Sequence, residues 1–261
     1  MTDALDQNAR ALLALRQKAG DAPVPPAPAS LREGYETQFA CERILVGERD
    51  YQIIGWKIGA TNSGSRAAFK LEAPFLGRLY RQMTRLTPAR LPAAPKFYRA
   101  YEAEIVLKLA RDLDGANGTI DAAAVRAATA AVAPAIEMVG GYVPPGGDNF
   151  GFALISDFAG NAHWILGAET KDLSAFDLEQ GAIRFSLDGE EKAVGKGANV
   201  DGGPFGATAW LANELAKYGR ALKAGEYITT GTAIAPVPYA GDGKTAVADF
   251  GALGRVEVTI G

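Results

Sequence analysis

Four side chains have the types and the surroundings to do chemistry together: Glu102, Glu104, Glu137 and Lys57. Glu102 and Glu104 stand two apart in the run Tyr101-Glu102-Ala103-Glu104-Ile105-Val106-Leu107, which has strand character. Side chains at i and i+2 leave the same face of a strand, so the two acids point one way and Tyr101, Ala103 and Ile105 the other. Neighbouring carboxylates repel unless positive charge lies between them. A hard divalent cation such as Mg²⁺ satisfies that need, because it prefers carboxylate oxygen. An exposed sheet face with two solvated acids satisfies the same spacing. Glu137 is set in Val132-Ala133-Pro134-Ala135-Ile136-Glu137-Met138-Val139, where an ionised carboxylate is costly unless it is paired or bound to metal. A salt bridge, with Lys57 as one candidate partner, is the alternative to the metal. Lys57 is the one charge in the strand-like Ile53–Gly59 run, with Gly55 and Gly59 two positions away on either side. It either faces a site where the glycines let a ligand come close, or snorkels at a sheet edge.

The rest of the composition narrows the chemistry. With a single histidine, His163, the chain has no multi-histidine zinc site, and a Ser-His-Asp hydrolase would have to use that one residue. His163 sits in Ala162-His163-Trp164-Ile165-Leu166, a strand-like run that favours a packed histidine over a catalytic one. A single cysteine, Cys41, leaves no intrachain disulfide and no cysteine zinc cluster. The net charge of -3 offers no basic footprint for nucleic acid. No apolar run approaches the ~20 residues that span a bilayer, and the polar, acidic start from Met1 to Arg10 lacks the blocks of a signal peptide. The expectation is a cytoplasmic protein with no membrane partner.

The elements that must carry these residues are legible in outline. The chain's 261 residues suffice for a full hydrophobic core. Asp3 to Lys18 and Ser30 to Val46 have helical spacing, the second opened by a capping box of Ser30 and Glu33. A proline-rich connector, 22–29, separates them. Ser65 to Lys70 reads as a helical turn and Pro74 to Tyr80 as a loop or short strand. Leu86 to Pro95, with three prolines, reads as a boundary, giving an N-terminal helical part over 1–85 and a main domain over 86–261. In the main domain the acidic strand is followed by an alanine-rich helix, Asp121 to Val132, and the Glu137 strand. Strands Ile183 to Leu187 and Glu190 to Val194 flank an Asp188-Gly189 hairpin turn. A helix over Phe205 to Tyr218 and strands at Gly225 to Thr232, Ala246 to Phe250 and Gly254 to Ile260 complete it. Strands and helices do not alternate, so the class is α+β. The glycine-rich loop Gly195 to Gly203 lacks the trailing Gly-Lys-[Ser/Thr] of a P-loop and the setting of a dinucleotide fingerprint.

Taken together, Gly55-Trp56-Lys57-Ile58-Gly59, Gly77-Arg78-Leu79-Tyr80, Glu102-Ala103-Glu104, Pro134-Ala135-Ile136-Glu137, Gly203-Pro204 through Ala212 and Ala224-Gly225 through Thr232 resemble the 2-keto-4-pentenoate hydratase branch of the fumarylacetoacetate hydrolase superfamily. The resemblance runs from about Leu12 to the C-terminus. It implies a mixed, twisted, β-barrel-like core with a smaller N-terminal part, a homo-oligomer, and Mg²⁺ or Mn²⁺ held by Glu102, Glu104 and Glu137. It implies a hydro-lyase of aromatic-compound catabolism, adding water to a 2-hydroxy-2,4-dienoate through an enolate stabilised by the metal as Lewis acid, to give a 4-hydroxy-2-oxo acid. Lys57 matches the family's lysine beside the site. Phe75, Leu76, Phe158, Gly160 and Thr232 fall on its substrate-binding segments. Two departures bear on the pocket: the family often has an aspartate where Phe75 stands, and often reads Asp-Asn-Ala-Ser where this chain has Asp157-Phe158-Ala159-Gly160. The expectation is an intact metal centre facing an altered, more apolar pocket, with Phe75 and Phe158 suiting an aromatic or alkyl tail. Decarboxylation of a related 2-oxo acid, or silent binding of one, stays open.

Overall fold

The computed structural model describes residues 2–94 and 96–261. Met1 and Pro95, which the readings of the N-terminus and of the proline-rich boundary include, lie outside the described residues. Two helices open the chain, α1 (Thr2–Gln17) and α2 (Leu31–Glu48). The Ser30 hydroxyl caps α2 by accepting from the Glu33 N–H, while the Glu33 carboxylate accepts from the Ala29 N–H, one residue earlier than a simple capping box requires. Ala9, Leu12 and Leu13 of α1 pack with Ala40, Cys41, Ile44 and Leu45 of α2, as the helical spacing demands.

The strands form two sheets. Those of the main sheet are β1 (Ile53–Gly59), β2 (Phe75–Tyr80), β3 (Thr84–Leu86), β5 (Tyr98–Leu109), β6 (Thr129–Gly140), β7 (Asn161–Leu166), β10 (Tyr227–Thr232) and the two-residue β11 (Val237–Pro238). Their order is β2-β1-β10-β5-β6-β7-β3, with β11 pairing to β5. The pairings mix parallel (β1 with β10, β3 with β7) and antiparallel ones, and the sheet curls into a half-barrel. The second sheet runs β4-β13-β12-β8-β9, from β4 (Ala89–Leu91), β8 (Ile183–Leu187), β9 (Glu190–Gly195), β12 (Thr245–Asp249) and β13 (Arg255–Ile260). Helices α3 (Ser63–Phe69), α4 (Ala122–Ala128), α5 (Phe150–Ser156) and α6 (Gly203–Ala216) complete the α+β architecture. Among the described residues no helix is long and apolar enough to cross a membrane.

Two readings change. The alanine-rich helix stops at Ala128, and Thr129 to Val132 join β6, because Leu109, Lys108 and Leu107 of β5 pair with them. Ladder hydrogen bonds outweigh alanine's intrinsic preference for helix. The proline-rich stretch after residue 85 is a bridge: β3 pairs with β7 in the main sheet and β4 with β13 in the second. The main sheet also crosses residue 86, since β1 and β2 are hydrogen-bonded into it beside β10.

β5 shows the alternation that its sequence dictates. Tyr101, Ala103, Ile105 and Leu107 enter the principal core, which they share with Phe185, Phe205, Leu211 and Val258. Val106 lies on the opposite face in a smaller cluster with Leu79, Ala133, Ala135, Trp164 and Leu166. The glutamates share that second face.

Candidate active site

Strand register brings the acids together. Glu102 of β5 sits directly opposite Glu137 of β6, and Glu104 is opposite Ala135 on one side and Thr232 of β10 on the other. Cross-strand partners share a face, so three carboxylates converge, with one oxygen from each inside a 4.8 Å group. Glu104 and Glu137 are buried and Glu102 partly so. Lys57 of β1 reaches the same place: its ammonium is 3.1 Å from Glu137 Oε1 and donates to the Ala159 carbonyl at 3.0 Å. Asn161 Nδ2 donates to Glu137 Oε1 at 2.9 Å. The Thr229 hydroxyl donates to Glu104 Oε2.

Among the described residues Glu104 Oε1 and Glu137 Oε2 have no hydrogen-bond partner, although both are buried. A buried carboxylate oxygen without a donor is strongly destabilising. Three acids share one lysine here, which leaves the cluster short of positive charge. Burial, then the charge of Glu137, push Glu102 up to about 7 against the pull of Lys57. Burial and the charges of Glu137 and Glu102 hold Glu104 well above the usual carboxylate range. Burial draws the Lys57 ammonium down, but Glu137, Glu102 and Glu104 outweigh it and the net direction is upward, so Lys57 keeps its proton. The donor set fits a hard divalent cation: three carboxylates, two unused oxygens and no sulfur.

The glycines flanking Lys57 do not open a path for a ligand. A Cβ at Gly59 would lie 2.3 Å from the Phe75 ring, and Gly55 lies against the Tyr227 backbone. They make room for neighbouring chain. Gly77, opposite Lys57 on β2, plays the same part: a Cβ there would be 2.6 Å from Ala159 Cβ and 3.1 Å from Lys57 Cγ.

The segments read as substrate-binding separate in space. The Phe75 ring lies 5.3 Å from the Lys57 ammonium and packs edge-on to Phe69, which in turn meets Phe150. Leu76 takes the other face of β2, and both it and Phe75 belong to the principal core. Phe158 is not paired with Phe75: its ring joins the α1–α2 cluster, 6.0 Å from the Tyr80 ring and 4.2 Å from the Arg16 guanidinium. Gly160 is left-handed (φ +73°), with Leu154 and Val139 as its neighbours. Thr232 is beside Glu104 in the ladder, its hydroxyl donating to the Ile234 carbonyl. His163 pairs with Met138 in register, one position from Glu137 and hence on the opposite face. Its ring packs edge-on to Tyr98, and burial lowers it to about 4, so it is neutral. Sequence reasoning missed Asn161, Thr229 and Ala159. The threonine-rich run ending β10 was the one visible hint; a backbone carbonyl leaves none.

A cavity of about 560 Å³ lies between Pro25-Pro26 and the loop Pro144 to Phe150, but its lining includes none of the three glutamates.

Comparison with known proteins bears on this arrangement. No family model matches the chain. A 2-keto-4-pentenoate hydratase from Burkholderia vietnamiensis is 33% identical over 213 residues, 82% of this chain and 79% of the relative. A 4-oxalocrotonate decarboxylase from a Pseudomonas species is 31% identical over 217 residues, 82% of this chain and 80% of the relative. In fold, the chain resembles the solved structure of 4-oxalocrotonate decarboxylase from Pseudomonas putida G7 complexed with calcium and acetate. The TM-score is 0.86 at 23% identity, covering 100% of this chain and 98% of that one.

Proposed function

The chain belongs to the 2-keto-4-pentenoate hydratase branch of the fumarylacetoacetate hydrolase superfamily, an enzyme family of hydro-lyases, and from that premise we propose that it hydrates a 2-hydroxy-2,4-dienoate to a 4-hydroxy-2-oxo acid. The observation that carries the reading is the convergence of Glu102, Glu104 and Glu137, with two unpartnered buried oxygens, around the Lys57 ammonium.

In this proposal Glu102, Glu104 and Glu137 hold Mg²⁺ or Mn²⁺. When bound, the cation supplies Lewis acidity to the carboxylate and 2-oxo oxygens of the substrate. Lys57 is fixed by Glu137 and the Ala159 carbonyl, and so presents a protonated donor at a set position. It pairs with the oxyanion that develops when the dienol tautomerises, a role in which a preorganised charge is worth more than a mobile one. Asn161 fixes the rotamer of Glu137, and Thr229 that of Glu104. Phe75, backed by Phe69 and Phe150, sets an apolar wall beside Lys57, at the position where the family resemblance implies an aspartate. That wall supports a substrate with an uncharged alkyl or aryl tail.

The similarity to a decarboxylase supports a second reading, loss of CO₂ from a related 2-oxo acid by the same enolate chemistry. One experiment separates them. Purified protein with MgCl₂ is given 2-hydroxypenta-2,4-dienoate and its 5-alkyl homologues, and loss of diene absorbance is followed. In parallel, CO₂ release is measured from the 5-carboxy analogue. Water addition abolished by Glu104→Gln is expected. CO₂ release without water addition would replace the hydratase reading, and turnover unaffected by Glu104→Gln would refute the metal site.

A further inference from the structure

We propose that Arg16, on the N-terminal helix, is a positioning residue for the active site, acting by clamping the left-handed turn that holds Lys57 and Glu137 in place. The catalytic part of this inference rests on the function proposed above; the clamp itself is a matter of geometry.

The turn lies between α5 and β7. Three successive residues are left-handed there: Phe158 (φ 57°), Ala159 (φ 53°) and Gly160 (φ 73°). Two of them carry a Cβ, which disfavours that conformation, so the turn persists only where its surroundings hold it. Arg16 holds it at both ends. Its Nε donates to Asp157 Oδ1 at 2.5 Å and its Nη2 to the Asp157 carbonyl at 3.1 Å, just before the left-handed run. Its Nη1 donates to the Asn161 carbonyl at 2.9 Å, just after it. The guanidinium plane lies 4.2 Å from the Phe158 ring, covering the residue between. Asp157 is 2% exposed and the Arg16 side chain 13%, so the pair works largely out of water. The planar fork of an arginine meets all three acceptors at once; a lysine's point charge does not.

What the turn delivers is the site. The Ala159 carbonyl accepts from Lys57, and the Asn161 amide donates to Glu137. Arg16 touches neither Lys57 nor a glutamate, yet both hydrogen bonds originate within the segment it brackets. Because α1 is held to α2 by Ala9, Leu12 and Leu13, and Phe158 joins the same cluster, docking of the N-terminal helix is coupled to the geometry of the acids by that apolar contact and by the three hydrogen bonds of Arg16.

The test uses the full chain with Arg16→Lys, Asn161→Ala and the double variant, each checked for folding by circular dichroism. Mg²⁺ affinity is measured by titration calorimetry, and exchange of the Gly160 amide, which bonds to the Asp157 carbonyl, by hydrogen exchange without metal. Arg16→Lys is expected to weaken Mg²⁺ binding about tenfold, the size of effect outer-shell partners have. It is also expected to speed Gly160 exchange about tenfold or more. The double variant should bind Mg²⁺ no worse than the weaker single, since both act through one path. Unchanged Gly160 exchange in Arg16→Lys, or fully additive losses of affinity, would overturn the clamp. Failure of the wild-type protein to bind Mg²⁺ would instead overturn the metal reading, and the exchange measurement would still decide the clamp.

Discussion

Replacing Glu102 by Gln should change stability in opposite directions with and without a divalent cation. In the metal-free protein, burial and the neighbouring Glu137 raise Glu102 from 4.5 to about 7. The folded state therefore keeps a proton that the unfolded state has already released. The stability tied to that proton is whole below about 4.5 and is lost as pH rises through about 7. At about 1.4 kcal/mol for each pH unit between those values, ionising Glu102 in the folded protein costs roughly 3 kcal/mol. Glutamine never ionises and escapes the cost. In EDTA the variant should match the wild type near pH 4.5 and exceed it by roughly 3 kcal/mol at pH 8, which is roughly 6–12 °C in melting temperature for a chain of this size. His163 runs the other way: its folded value is depressed to about 4, so its contribution is present above 6.5 and lost as pH falls toward 4. It is common to both proteins and cancels in their difference. With Mg²⁺ at a hundred times its dissociation constant the wild type gains about 2.7 kcal/mol. The variant, short of one ligand, gains less, and its advantage shrinks or reverses. Differential scanning fluorimetry of both proteins from pH 4.5 to 8, in EDTA and in MgCl₂, measures all of this. A difference in EDTA that does not vary with pH would refute the crowded, buried acid. A difference at pH 8 that Mg²⁺ leaves untouched would refute Glu102 as a ligand.

Two further outcomes are expected. Lys57→Met should lower kcat by about 10²–10⁴ and, by leaving Glu137 without its cation, destabilise the protein by about 3–5 kcal/mol in urea unfolding; a loss of activity with unchanged stability would show that the Lys57–Glu137 pair contributes nothing to the fold. Gly77→Ala should cost about 1–3 kcal/mol, because its Cβ meets Ala159 Cβ at 2.6 Å. It should also raise the exchange rate of the Gly160 amide, and a melting temperature within a degree of the wild type would contradict the packing described.

Much of this was legible in the sequence. The spacing of Glu102 and Glu104 settles that they share a face, since side-chain direction in a strand has period two. A carboxylate among Ile136, Met138 and Val139 announces that something must neutralise it. The one histidine and one cysteine remove whole classes of mechanism before any coordinate is known. Helix starts at Ser30 and Asp121 were visible because capping is local chemistry, carried by one side chain and the N–H three residues on.

The tertiary structure decided the rest. Periodicity says which face a residue takes but not which strand lies alongside. Only the register of β5 on β6 places Glu102 opposite Glu137, and only β1 beside β10 brings in Lys57 from 45 or more positions away. Alanine's preference for helix lost to ladder pairing at Thr129 to Val132 for the same reason: the competing hydrogen bonds come from distant chain. The fate of the phenylalanines was hidden too. Phe75 and Phe158 look alike in sequence, yet a left-handed turn at 158–160 swings one ring to the N-terminal helices and leaves the other beside Lys57. That turn is held by Arg16, about 140 residues earlier in the chain, so its direction could not be read from its own residues.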